Sequence, residues 1–264
     1  EYSQRVGSLK LDMIIRTQEE RDGIRAAGKL LSEVLRDVVA HAKAGVIAKA
    51  LDERAEELIR AGGAVPVFLN YRVEGIRTPY PATLCISIND GVVHGIPSDY
   101  VLKEGDIVSL DCGLSLNGFI SDSATTIIIG KGSDEDERLL EATRKALHAG
   151  IAAARAGGTT GDIGAAVEAV AKQARFTVVR DLGGHGTGRQ LHESPHIANF
   201  GAPGRGEKLV EGMVLALEPI FTTGGGAIKL DSDGWTYRTR DHSHAAHFEH
   251  TIIVGKNGSE IVTQ

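Results

Sequence analysis

The chain has 264 residues, 42% hydrophobic and 24% charged, an ordinary globular composition long enough to bury a core without disulfide or metal staples. A net charge of −6, with no Lys/Arg block, argues against duplex nucleic acid as an obligate partner. Two cysteines, Cys85 and Cys112, offer no disulfide framework and fit a reducing, cytoplasmic setting, and no apolar run approaches the ~18 residues of a membrane span.

Residues 1–12 lack a signal-peptide pattern and are read as a tail or cloning remnant, because "MIIRTQEE" from Met13 reads as a native start; residues 13–264 are expected to form one domain. Thr17 and Glu20 form a capping box that opens a helix with the stripe Ile24, Ala27, Leu31, Leu35 and Val38, ended near Gly45. A second helix is predicted over roughly 49–61. Strand-like "TLCISIND" and "VVHGI" follow, and then the hairpin "SLDCGLSLNGFISDSATTIII".

The second half repeats this order. A long helix starts at "SDEDERLL", with acids in its first turn where the macrodipole favours them, and a shorter helix carries Ile163, Val167, Val170 and Ala171. Strand-like "TVVRDLGGHG", "GMVLALEPI" and "AHFEHTIIV" complete it. "EGDIVSLD" (104–111) resembles "EGMVLALE" (211–218), and "HGIP" (94–97) resembles "HESP" (192–195). This duplication predicts pseudo-two-fold halves, each helix–helix–hairpin, around a shared antiparallel sheet. The polar, glycine-rich "TTGGGAIKLDSDGW" is expected to be a loop or ribbon over the site mouth.

The chemistry starts at the hairpin. With Asn117-Gly118 as a two-residue turn, Asp122 faces Gly113, so Asp111 and Asp122 are diagonal neighbours on one face. Two bare carboxylates there would repel, and a divalent cation resolves the conflict. The duplication matches Glu218 to Asp111 and Glu249 to Asp122. With His185 in "LGGHGTG", where glycines leave the imidazole room to approach, four carboxylates and one imidazole favour a pair of hard or borderline divalent ions. Such a pair suits hydrolysis of a carbonyl or phosphoryl group.

The ordered set "HGIP", "DCG…SD", "GGHGTG", "HESP", "LALEP" and "FEHT" resembles the methionine aminopeptidases of type I, over nearly the whole chain from about residue 14. The resemblance implies the α+β pita-bread fold and a cytoplasmic, monomeric enzyme. Such an enzyme removes initiator methionine from nascent polypeptide N-termini at the ribosome and prefers a small second residue. It implies two divalent ions (Co, Mn, Fe or Zn): Asp111 on one, His185 and Glu218 on the other, Asp122 and Glu249 bridging. The resemblance further implies a metal-bridged water as nucleophile toward the scissile carbonyl, Glu218 as general acid/base, and His94 and His192 as contacts to the scissile amide. Tyr80, Cys85 and Trp235 match the methionine pocket, with Tyr71 beside them.

Two departures stand out: Leu191 replaces a usual aromatic ring, and "RVEGIRTP" (72–79) lengthens the link between Tyr71 and Tyr80. Of the histidines in "RDHSHAAHFEH", His242, His244 and His250 are read as non-ligands. His247, two residues before Glu249 on the same strand face and where the family usually has Gln, is expected to border the site without being a ligand. The alternatives are an Xaa-Pro aminopeptidase or creatinase relative, whose kind generally carries an extra N-terminal domain, and a non-catalytic pita-bread binding module.

Overall fold

The computed structural model describes residues 13–73 and 75–264; the expectation for residues 1–12 lies outside them. Helix α1 (Gln18–His41) begins at the predicted box, in which Thr17 accepts the Glu20 N–H and the Glu20 carboxylate accepts the Thr17 N–H. Its predicted stripe, Ile24, Ala27, Leu31, Leu35 and Val38, is buried. It stops at His41, before Gly45, which takes a left-handed φ of 89° in the turn to α2 (Ala48–Ala61). Both helices cover one face of the hairpin formed by strands Ile107–Leu116 and Phe119–Ile128. Val108, Leu110, Cys112 and Leu114 point into that helical core. Period-two alternation therefore turns Asp111 and Gly113 to the opposite face.

In the second half α3 (Asp134–Ala153) and α4 (Thr160–Ala174) pack against each other and over a second core containing Leu215, Leu217 and Phe221. Four acids fill the first turn of α3, and α4 opens on a second capping box, Thr159 with Asp162. The duplication extends to backbone detail. Gly105 and Gly212, which follow the two matched glutamates, both have φ of 87°, and each donates its N–H across to the partner strand's end, at Ile129 and Val254. Only glycine takes that conformation without a steric penalty.

All strand pairing within the sheets is antiparallel. Where the halves meet, hydroxyl groups take over from the backbone ladder. Thr251 Oγ1 accepts the Asp122 N–H at 2.9 Å and donates to the Asp122 carbonyl at 2.7 Å. Ser123 Oγ donates to the Glu249 carbonyl, Thr126 Oγ1 joins both backbone groups of His247, and the Glu249 N–H donates to the Ala124 carbonyl. These bonds lock the Asp122 strand against the Glu249 segment. Among the described residues, no helix is long and apolar enough to cross a membrane.

Candidate metal centre

The hairpin register is as the Asn-Gly turn requires: Asp122 opposite Gly113 and Asp111 opposite Ala124, with Asn117 and Gly118 at positive φ. Asp111 and Asp122 sit side by side on the face away from the helices, both buried.

The second pair is built differently. Glu218 follows the strand Val214–Leu217, and Glu249 precedes the strand His250–Ile253. The ladder opens at both points, with Leu217 opposite His250 before the gap and Ile220 opposite His247 after it. That register sets Glu218 directly across from Glu249 rather than on a diagonal. The gap frees the Glu249 backbone to bond the first hairpin, which carries its side chain to the two aspartates.

His185 lies on the strand Gly183–Gly186, between the strands Glu193–Ala198 and Val214–Leu217. Its glycines serve the backbone more than the ring. A Cβ on Gly184 would strike the Ala216 carbonyl oxygen, and one on Gly186 the Ser194 carbonyl oxygen. The His185 Nδ1 contacts the Gly186 carbonyl at 2.8 Å, which makes Nδ1 the protonated nitrogen and aims Nε2 at the acids. That Nε2 lies 3.7 Å from Glu218 Oε1 and 4.0 Å from Asp122 Oδ2. Asp122, His185 and Glu249 each offer a donor atom within 4.8 Å of the others.

Burial raises the carboxyls of Asp111, Asp122, Glu218 and Glu249, and the negative charge of Asp111 adds to the rise at Asp122, Glu218 and Glu249. The same burial pushes His185 and His94 down to about 4 and His247 to about 3. Asp111 Oδ1, Asp122 Oδ1 and Glu249 Oε1 have no hydrogen-bond partner among the described residues. Buried acids left unpaired are costly unless protonated or neutralised by cations. An all-oxygen cradle with one imidazole therefore fits divalent metal, and the deprotonated donor set suits hard or borderline ions.

The remaining predicted residues divide into a rim and a pocket. His192 is exposed, its ring 4.5 Å edge-on from that of His185. Tyr71, on the lengthened link, contacts His192 Nδ1 through its hydroxyl at 2.6 Å, so its place is at the rim beside that imidazole. His94 is half-buried with φ of 56°, and its ring meets the Tyr237 ring edge-on at 6.0 Å. Tyr80, Cys85, Leu191 and Trp235 share one buried apolar cluster with Phe68, Ala82 and Ile120. Tyr80 and Trp235 pack edge-on at 5.3 Å, and Cys85 pairs with Asp111 across neighbouring strands, so this cluster abuts the acids.

The segment expected as loop or ribbon holds a short hairpin, Ile228–Leu230 with Tyr237–Thr239, which pairs on with Gly91–Val93 beside His94. Asp231 and Asp233 tie its turn and so hold Trp235 in the apolar cluster. His242 and His244 meet Asp90 and Asp136 through their Nδ1 atoms, and His250 Nδ1 meets Thr263. Sequence reasoning missed Glu193. Its buried carboxylate accepts the Arg189 and Gln190 N–H groups and thereby fixes the turn that presents His192. It also missed the hydroxyl stitches, which carry no local signature.

The model of metallopeptidase family M24 matches residues 22–256. The chain is 46% identical to a methionine aminopeptidase of Mycobacterium tuberculosis, over 94% of both chains. It is 43% identical to one of Clostridium perfringens, over 95% of this chain and 98% of that one. The crystal structure of the methionine aminopeptidase of Rickettsia prowazekii superposes with a TM-score of 0.91 at 40% identity, covering 96% of this chain and all of that one. With a buried acid–imidazole centre and full-length similarity of this degree, the chain belongs to metallopeptidase family M24, alongside the methionine aminopeptidases.

Proposed function

We propose that the protein removes N-terminal methionine from newly made polypeptides, using two divalent ions held by Asp111, Asp122, His185, Glu218 and Glu249. The observation that carries this reading is the set of three buried carboxylates with unpartnered oxygens, Asp111, Asp122 and Glu249, gathered with Glu218 around His185 beside an apolar cluster. Ions bound there would supply a Lewis acid for the scissile carbonyl and a nucleophilic water at neutral pH.

The chain's own groups supply the rest. Burial raises the Glu218 carboxyl, so it can accept a proton and later return it to the leaving amine. His192, at the rim with Tyr71 on its Nδ1, offers Nε2 to the scissile amide, and His94 approaches from the other side. The cluster of Tyr80, Cys85, Leu191 and Trp235 receives the methionine side chain, for which soft, apolar contacts suit a thioether. A small second residue is the preference this reading carries, with Tyr71 and His192 in contact at the rim. The setting is the cytoplasm, at the ribosome, with the chain acting as a monomer and without nucleic-acid or membrane contacts. The ions are drawn from Co, Mn, Fe and Zn.

The test is hydrolysis of Met-Gly and Ala-Pro peptides by the metal-loaded chain, together with elemental analysis. Methionine release and two ions per chain are expected. Cleavage of the Ala-Pro peptides alone would overturn the substrate assignment.

A further inference from the structure

We propose that His247 supplies, through Nε2, a second imidazole to the cation held beside Glu218 and Glu249. The proposal rests on the metal reading above and adds a donor to it. His247 ends the strand Ala245–His247 and is 2% exposed. Its Nε2 lies 3.6 Å from Glu218 Oε2 and 4.0 Å from Glu249 Oε2. Both gaps are too long for hydrogen bonds, and Nε2 has no partner among the described residues. A buried ring nitrogen facing two carboxylates without bonding either is an unmade interaction.

The spacing suggests what would complete it. Bonds of about 2.0–2.2 Å from a cation to nitrogen and oxygen put neighbouring donors roughly 3–3.6 Å apart. The Glu218 carboxylate is bracketed: Oε1 faces His185 Nε2 at 3.7 Å, and Oε2 faces His247 Nε2 at 3.6 Å. The two imidazole gaps are equal within a tenth of an ångström. The backbone holds His247 in place as firmly as it holds the acids. Thr126 Oγ1 accepts the His247 N–H at 2.9 Å and donates to its carbonyl at 2.6 Å, and Ser109 Oγ stands 2.8 Å from the same hydroxyl. His247 is thereby fixed to the hairpin that carries Asp111 and Asp122. A second imidazole moves the donor set toward borderline ions, so it favours zinc over manganese more strongly than one imidazole does.

The experiment uses the full chain loaded with zinc alone, two equivalents, and reads ring scattering from coordinated imidazole in the zinc-edge X-ray absorption spectrum. The unsubstituted chain should show two rings per chain, His247→Gln one, and His185→Gln one, the last belonging to His247. Zinc-over-manganese preference in competition should fall about tenfold or more in His247→Gln. Equal ring scattering in the unsubstituted chain and His247→Gln overturns the proposal and would mean that a water bridges the three groups. Complete loss of ring scattering in His185→Gln overturns it as well. An unsubstituted chain that takes up less than one zinc overturns the metal reading itself, and this proposal with it.

Discussion

At the residue scale the decisive distinction is between a side chain that balances charge and one that orients another. Asp122 belongs to the first kind. It faces His185 at 4.0 Å and lies beside Asp111 with one oxygen unpaired. Asp122→Asn keeps the volume and removes the charge, so metal affinity should fall by at least about 10–100-fold and peptide hydrolysis with it. Elemental analysis and a rate assay on the same sample check this. Tyr71 belongs to the second kind. Tyr71→Phe removes the hydroxyl contact to His192 Nδ1 and changes none of the acids, so turnover should fall by roughly tenfold while metal content stays at the level of the unsubstituted chain. A matching loss of metal would instead make Tyr71 structural. Asp111 and Asp122 were legible from sequence because a two-residue Asn-Gly turn fixes register and hence face. Tyr71 was not, because nothing local says where a lengthened link ends.

At the scale of elements, helices were read closely because caps and stripes are local, whereas the junction of the halves was not. Its bonds join residues more than a hundred positions apart, such as Asp122 with Thr251, separated by 129. Serines and threonines in strands ordinarily decorate a face, and no periodicity distinguishes a stitch from a decoration. The same limit explains Glu218 and Glu249. Duplication predicts their existence, but the opened ladder that sets them opposite each other is a break in the pattern that carries the inference. Thr251 is fully buried, and its hydroxyl serves both backbone groups of Asp122. Thr251→Val is nearly isosteric and leaves a buried N–H and C=O without partners, so stability should fall by about 1–3 kcal/mol or more. Denaturant unfolding of the ion-free chain measures this. Because the same bonds hold Asp122 in position, metal affinity should fall with stability. Unaltered affinity would show that the cradle is set by the hairpin alone.

At the scale of the whole molecule, the centre makes stability depend on pH and cation together. In the ion-free chain, burial raises four carboxyls, while in the unfolded chain they titrate near about 4. Above that pH the folded state holds more protons than the unfolded one, so these acids make stability fall as pH rises. Four imidazoles, two buried and two half-buried, act oppositely. His94, His185 and His250 are depressed to about 4 and His247 to about 3, so the unfolded chain binds more protons up to about pH 6.5, and stability rises with pH across that interval. Below about pH 6.5 the two sets oppose each other; above it, of these two sets, the acids alone act. Each unmatched proton is then worth about 1.4 kcal/mol per pH unit. Bound cations keep the folded acids ionised, which removes the alkaline loss and makes metal uptake release protons. The buried Cys85 and Cys112 thiols, raised by burial, also favour loss of stability at high pH, but they do so with or without metal. The difference between loaded and chelated chains therefore isolates the acids. The melting temperature of the chelated chain should drop between about pH 7 and about pH 9, that of the loaded chain should drop less, and the gap should widen with pH. A gap that stays constant would mean that the four acids are already ionised without metal.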